Sequence, residues 1–128
     1  MRGKRNISIG LAVHPWRLGL SVKVEKLILV TAKHMPQHKY FVSIAEDLAK
    51  ELGVELETRY EDYAFLADYG EKDEYDMPWT PQLLAKLSDG RIVPILTRLP
   101  FSTDTLQFQL GKAKEQALAK LREYGVEV

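Results

Sequence analysis

Three hydrophobic patterns follow one another between Lys26 and Tyr60, and their order limits the fold more than any other feature of the chain. Lys26 to Thr31 reads Lys-Leu-Ile-Leu-Val-Thr, a continuous apolar run rich in β-branched residues, as suits a central strand covered on both faces. From Pro36 to Leu52 the apolar residues Phe41, Ile44, Ala45, Leu48 and Leu52 recur at helical spacing on one stripe. Pro36 sits where a first helical turn tolerates proline, and Gly53 follows as a stop. Val54, Leu56, Thr58 and Tyr60 then alternate with Glu55, Glu57 and Arg59, the pattern of a half-exposed strand. Strand, helix and strand in this order make a βαβ unit, which predicts parallel strands joined by a right-handed crossover.

The second half of the chain reads differently. Glu61 to Met77 interleaves acids with Tyr63, Phe65, Leu66, Tyr69 and Tyr75, and predicts a short helix over 62–68 followed by an acidic loop. That loop lacks the ligand spacing of a calcium-binding loop and reads as a solvated cover. The stretches 82–87 and 91–96 flank Asp89-Gly90, a two-residue hairpin signal. Pro94 removes a ladder donor and so assigns the second of these strands to the sheet edge. Leu106, Leu110, Ala113, Ala117, Leu121 and Tyr124 predict a final helix, with Ser102, Thr103 and Asp104 as candidate caps and Gly125 as its end. The order βαβ, connector, ββα predicts an α/β protein, and the hairpin-then-helix ending separates it from a continuing doubly wound sheet.

Composition narrows the function classes. A chain of 128 residues suits one domain with a real core. Its 18 basic and 18 acidic side chains cancel, so it lacks the basic surplus of a dedicated nucleic-acid binder. No run of about 18 apolar residues is present, which argues against a spanning helix and leaves the cytoplasm as the default compartment. The absence of cysteine excludes disulfides and cysteine-based metal sites. Residues 1–25 read as an N-terminal arm or an extra strand over Ile7 to Val13, with the domain proper at 26–128. The basic start (Arg2, Lys4, Arg5) resembles a signal peptide, but Ser8, Gly10 and His14-Pro15-Trp16 break its apolar stretch.

Two segments carry a family resemblance. Thr31-Ala32-Lys33-His34 leads into Met35-Pro36-Gln37-His38 and a helix, and Trp79-Thr80-Pro81 precedes an apolar strand and the Asp89-Gly90 turn. Together they resemble the active-site layout of the thioredoxin/glutaredoxin superfamily, with Met35 and His38 where its two cysteines stand. The resemblance covers Lys26 to Val128. It implies a thioredoxin-like βαβ-ββα three-layer sandwich, a cis Thr80–Pro81 peptide, and Met35 and His38 beside that proline. It departs at the chemistry, because a thioether has no ionisable S–H and imidazole cannot form a mixed disulfide. Thr31 to Pro36 and Thr80-Pro81 also bear a weaker likeness to the KaiB clock-protein family, from which the Asp89-Gly90 hairpin departs.

Several chemistries stay open at these residues. His34 and His38 are four apart, the spacing of a two-histidine metal site to which Met35 adds a soft ligand; without a third firm ligand they read equally as solvated side chains. Lys33, His34, His38 and Lys39 place positive charge at a helix start that already carries exposed N–H groups, so residues 37–40 are a candidate anion site. Trp79 reads as a recognition aromatic or as core packing. Ser43 and Ser88 lack a nucleophile elbow, and no glycine belongs to a phosphate-binding loop. The leading expectation is a redox-inactive binding or scaffold module without a cofactor. Its contact surface would be His34, Met35, Pro36, Gln37 and His38 against Trp79, Thr80 and Pro81. The ligand would be a protein, a peptide or a small anion, with homo-oligomerisation left open. The rival expectation is a non-redox enzyme with His34 or His38 as general base and the helix start stabilising an oxyanion.

Overall fold

The structure, a computed structural model, describes residues 22–128. The candidate strand at 7–13 and His14 lie outside the described residues. The elements in chain order are β1 (Val24–Thr31), α1 (His38–Leu52), β2 (Glu55–Tyr60), α2 (Tyr63–Tyr69), β3 (Gln82–Leu87), β4 (Ile92–Leu96), β5 (Phe101–Ser102), β6 (Gln107–Phe108) and α3 (Leu110–Glu123). It is a mixed α/β protein whose main sheet runs β2-β1-β3-β4, with β1 parallel to β2 and antiparallel to β3. The strand β1 begins two residues before the apolar run, and Val22 bridges to Val126, so residues 22–25 join the folded unit.

The two central strands run largely without alternation because each is covered on both faces. Leu27 and Leu29 of β1 and Leu83, Ala85 and Leu87 of β3 bury against Phe41, Ile44 and Leu48 of α1 and Ala113, Ala117 and Leu121 of α3. The intervening Ile28, Val30 and Leu84 face the other way and bury against Leu66 of α2. Each such aliphatic side chain removed from water contributes about 2 kcal/mol. Edge strand β4 carries Pro94 opposite Leu84, where its missing N–H costs the ladder nothing on the solvent side. Among the described residues no helix is long and apolar enough to cross a membrane.

Two local expectations are corrected. The β3–β4 turn is a three-residue loop, not a two-residue one. Leu87 N–H donates to the Arg91 carbonyl at 2.8 Å across Ser88, Asp89 and Gly90, and only Gly90 takes a positive φ, of 95°. A two-residue type I′ turn would need positive φ at Asp89 as well. The last helix starts at Leu110, not near Leu106, and Ser102, Thr103 and Asp104 do not cap it. Those residues form a small hairpin in which Phe101 pairs with Phe108 and Ser102 with Gln107. Leu106 sits at its tip, 73% exposed and at φ 56°. Ring contacts of Phe108 with Phe101 and with Tyr40 of α1, both at 5.3 Å between centroids, hold the hairpin to the body.

On the α2 side of the sheet the charges form a chain. Lys26 pairs with Glu57, Glu57 Oε2 lies 2.6 Å from Arg59 Nε, and Arg59 Nη1 lies 2.9 Å from Asp62 Oδ2. Asp62 also caps α2, accepting from Phe65 N–H at 3.1 Å. The hydrogen bond from Lys26, with the Arg59 and Lys26 charges, holds the Glu57 carboxyl below its ordinary value of 4.5 against a smaller opposing effect of burial. A depressed folded-state value stabilises the protein above the unfolded value, and that contribution is lost as pH falls through the folded one. The thermal midpoint should therefore decline below about pH 4.5, and Glu57→Gln should flatten that acid limb while lowering the neutral-pH plateau; calorimetry across pH 2.5–7 checks both.

Gly70, at the end of α2, is set by proximity. A Cβ there would meet Leu66 Cδ2 at 2.8 Å, Gln82 Oε1 at 2.9 Å and the Leu66 carbonyl at 3.0 Å. Gly70→Ala should destabilise the protein by about 1–3 kcal/mol, read from urea denaturation, because the added methyl pushes on a carbonyl and a buried amide.

Candidate functional site

The residues leading into β3 and the start of α1 meet at one end of the sheet. The turn from Thr31 into α1 is closed by Met35 N–H on the Ala32 carbonyl and His38 N–H on the Met35 carbonyl, at 3.0 and 3.1 Å. This brings Met35, Pro36 and Gln37 to one wall of an open groove of about 450 Å³. Trp79, Thr80 and Pro81 form the opposite wall, and the Thr80–Pro81 peptide is cis. A third wall comes from Thr97, Arg98 and Leu99, just beyond β4.

Gln82 fixes the second wall. Its side chain is fully buried at the first position of β3. The amide nitrogen donates to the carbonyls of Glu71 and Trp79, both at 2.9 Å, and its oxygen accepts from Glu71 N–H at 2.9 Å. One carboxamide thus staples both ends of the acidic loop to the sheet. Within that loop Asp73 Oδ1 accepts from the N–H groups of Tyr75 and Met77, at 2.8 and 3.0 Å. The third wall is tied to the second through Trp79, whose indole N–H donates to the Thr97 carbonyl at 3.0 Å. Arg98 lies over the Trp79 ring, 4.6 Å from its centroid. Trp79 is half-buried and serves as wall and anchor together.

Of the eight residues singled out in the sequence, six line this groove: Met35, Pro36, Gln37, Trp79, Thr80 and Pro81. His34 and His38 do not. His38 turns toward the sheet, where its Nδ1 is 2.8 Å from the hydroxyl of buried Thr31 and its ring tilts against Tyr60 at 6.3 Å. His34 is exposed. No group of three or more metal-ligating side chains occurs among the described residues. At the start of α1 the His38 and Tyr40 N–H groups donate to turn carbonyls, Gln37 makes no side-chain cap, and Lys33 and Lys39 lie over the rings of Tyr60 and Tyr40.

The third wall and Tyr63, whose hydroxyl is 3.4 Å from Thr80 Oγ1, were outside the sequence reading. A signal for the third wall exists in the hairpin register. Leu83 pairs with Leu96, and continuing that count brings Thr97, Arg98 and Leu99 alongside the residues preceding β3. Comparison with family models, with curated proteins and with solved structures gives no match.

Gln82→Leu keeps the volume and removes all three bonds, leaving one N–H and two carbonyls of the loop without partners. The expected cost is about 3 kcal/mol in denaturant unfolding, with faster amide exchange at Glu71 than at the centre of β3.

Proposed function

We propose that this chain is a redox-inactive, thioredoxin-like binding module that holds a segment of another polypeptide in the groove between the α1 entrance and the Trp79–Pro81 wall. The observation that carries the reading is the groove itself: open, walled by Met35, Pro36, Trp79 and Pro81, and built from the two segments on which the family resemblance rests. The element order, the α1/α3 and α2 layers about the sheet and the cis bond before Pro81 are in keeping with that family's fold. With no sulfur able to form a disulfide, binding is the function left to such a groove. Extended chains suit it, since open grooves beside a sheet end take peptides through main-chain bonds and side-chain pockets.

The enzyme reading draws less support. A general-base histidine is held by a carboxylate and faces the reacting group, whereas His38 meets a threonine hydroxyl and lies outside the groove lining.

The test is a titration of the full chain with an end-blocked random decapeptide pool, followed by calorimetry in every variant and, where Trp79 is present, through its indole N–H resonance. A saturable shift is expected in the wild type. Trp79→Ala should weaken binding at least about tenfold while a cooperative thermal transition survives. A double His34→Ala, His38→Ala variant should bind as the wild type does. Loss of binding in the histidine variant with retention in Trp79→Ala would move the site away from the groove.

A further inference from the structure

Among the described residues lining the groove, one carries a formal charge, and that charge is positive: Arg98. Its guanidinium has no acidic partner among the described ion pairs and no hydrogen bond among the described residues. Glu71, outside the groove lining but sharing a neighbouring pocket with Arg98, accepts a hydrogen bond from the Thr97 hydroxyl. A surface arginine usually moves among many rotamers, and the contact of this one with the Trp79 ring, 4.6 Å from Cζ to the centroid, favours those that keep the guanidinium over the indole. A guanidinium edge matches a carboxylate with two parallel donors. Beside it the groove offers Met35, Pro36, Pro81 and Leu99, surfaces for a bulky apolar side chain.

We infer that the groove selects an extended segment of a partner protein that carries an acidic residue next to a bulky apolar one, and that Arg98 is the residue that reads the acid. The inference rests on the binding reading above and names the chemistry of its ligand. Charge complementarity is its basis: a groove of mixed polar and apolar lining with a single cation, held over the Trp79 ring, and no carboxylate in its lining. An amide in place of the acid leaves one acceptor for two donors, and a lysine in the ligand meets like charge.

Three end-blocked decapeptide pools test this on the full chain, each random except for a central Leu-Glu, Leu-Gln or Leu-Lys pair. Retention on immobilised protein is measured, and the Trp79 indole resonance reports occupancy of the groove. The Leu-Glu pool should be retained about fivefold better than Leu-Gln, with Leu-Lys weakest, and added salt should shrink the difference. Arg98→Gln should bring the Leu-Glu pool down to the Leu-Gln level while the neutral pool keeps its binding and its indole shift. Arg98→Lys should keep only part of the preference, since an ammonium lacks the planar pair of donors. Arg98 is exposed, so the thermal midpoint serves as a control that both variants fold. Equal retention of acid and amide pools by the wild type overturns the inference and leaves the groove standing. A preference unchanged in Arg98→Gln does the same, moving the charge reading to another cation. Absence of any indole shift with all three pools overturns the binding reading itself.

Discussion

A carboxamide buried at the head of a central strand must find its hydrogen-bond partners inside the protein, and Gln82 finds all three on the main chain of the Glu71–Trp79 loop. The position of that loop follows from this requirement. So does the need for glycine at position 70, where anything larger collides with the same amide oxygen. The Trp79 carbonyl, held from beneath, orients its residue so that the indole reaches the Thr97 carbonyl. Two of the groove's three walls therefore trace back to one neutral side chain, and the acidic loop is a consequence of the clamp as much as a cover for the surface.

The cations in this part of the molecule either pair with carboxylates or lie over aromatic rings. Lys33 and Lys39 lie over tyrosine rings, Lys26 and Arg59 join Glu57 and Asp62, and Lys114 joins Glu51 between the two large helices. A cluster that reads in sequence as a basic helix start is thus spread over several neighbours once folded. Arg98, like Lys33 and Lys39, contacts an aromatic face that does not neutralise it, and it differs from them in lining the groove, where it is the one formal charge among the described residues.

The core was legible because its pattern is local. The run Leu27 to Val30 has no polar member since both faces of β1 are covered, and the α1 stripe needs only its own 3.6-residue period. Asp62 announces α2 by the bond it makes three residues on. What was misread depended on contacts distant in sequence. Leu106 stands four before Leu110 and mimics a helical turn, yet the pairing of Phe101 with Phe108 and the stacking on Tyr40 pull that segment into a hairpin. His38 carries the imidazole that the family resemblance places beside Pro81. The hydroxyl of Thr31, seven residues earlier, takes it to the sheet side. Arg98 gives no local signal at all, because its place opposite the proline follows only from the register across the Ser88–Gly90 loop.

The walls of the groove also differ in how they are held, and this bears on how it would respond to an occupant. The α1 entrance is closed by main-chain turns and backed by fully buried Phe41. The Trp79–Pro81 wall is stapled by Gln82 and continues into a central strand. The Thr97–Leu99 wall extends an edge strand beyond its last ladder pair, Leu83 with Leu96. It gains its place from the Trp79 indole bond, the Glu71 contact to Thr97 and the burial of Leu99. Segments with few main-chain bonds open at lower free energy than ladder-paired strands. The wall that carries Arg98 is thus the adjustable one, coupled to the rigid wall through the same indole that the guanidinium covers. In the binding reading proposed above, a ligand that engaged the guanidinium would engage Trp79 with it, so the charge and the rest of the groove would act as one surface.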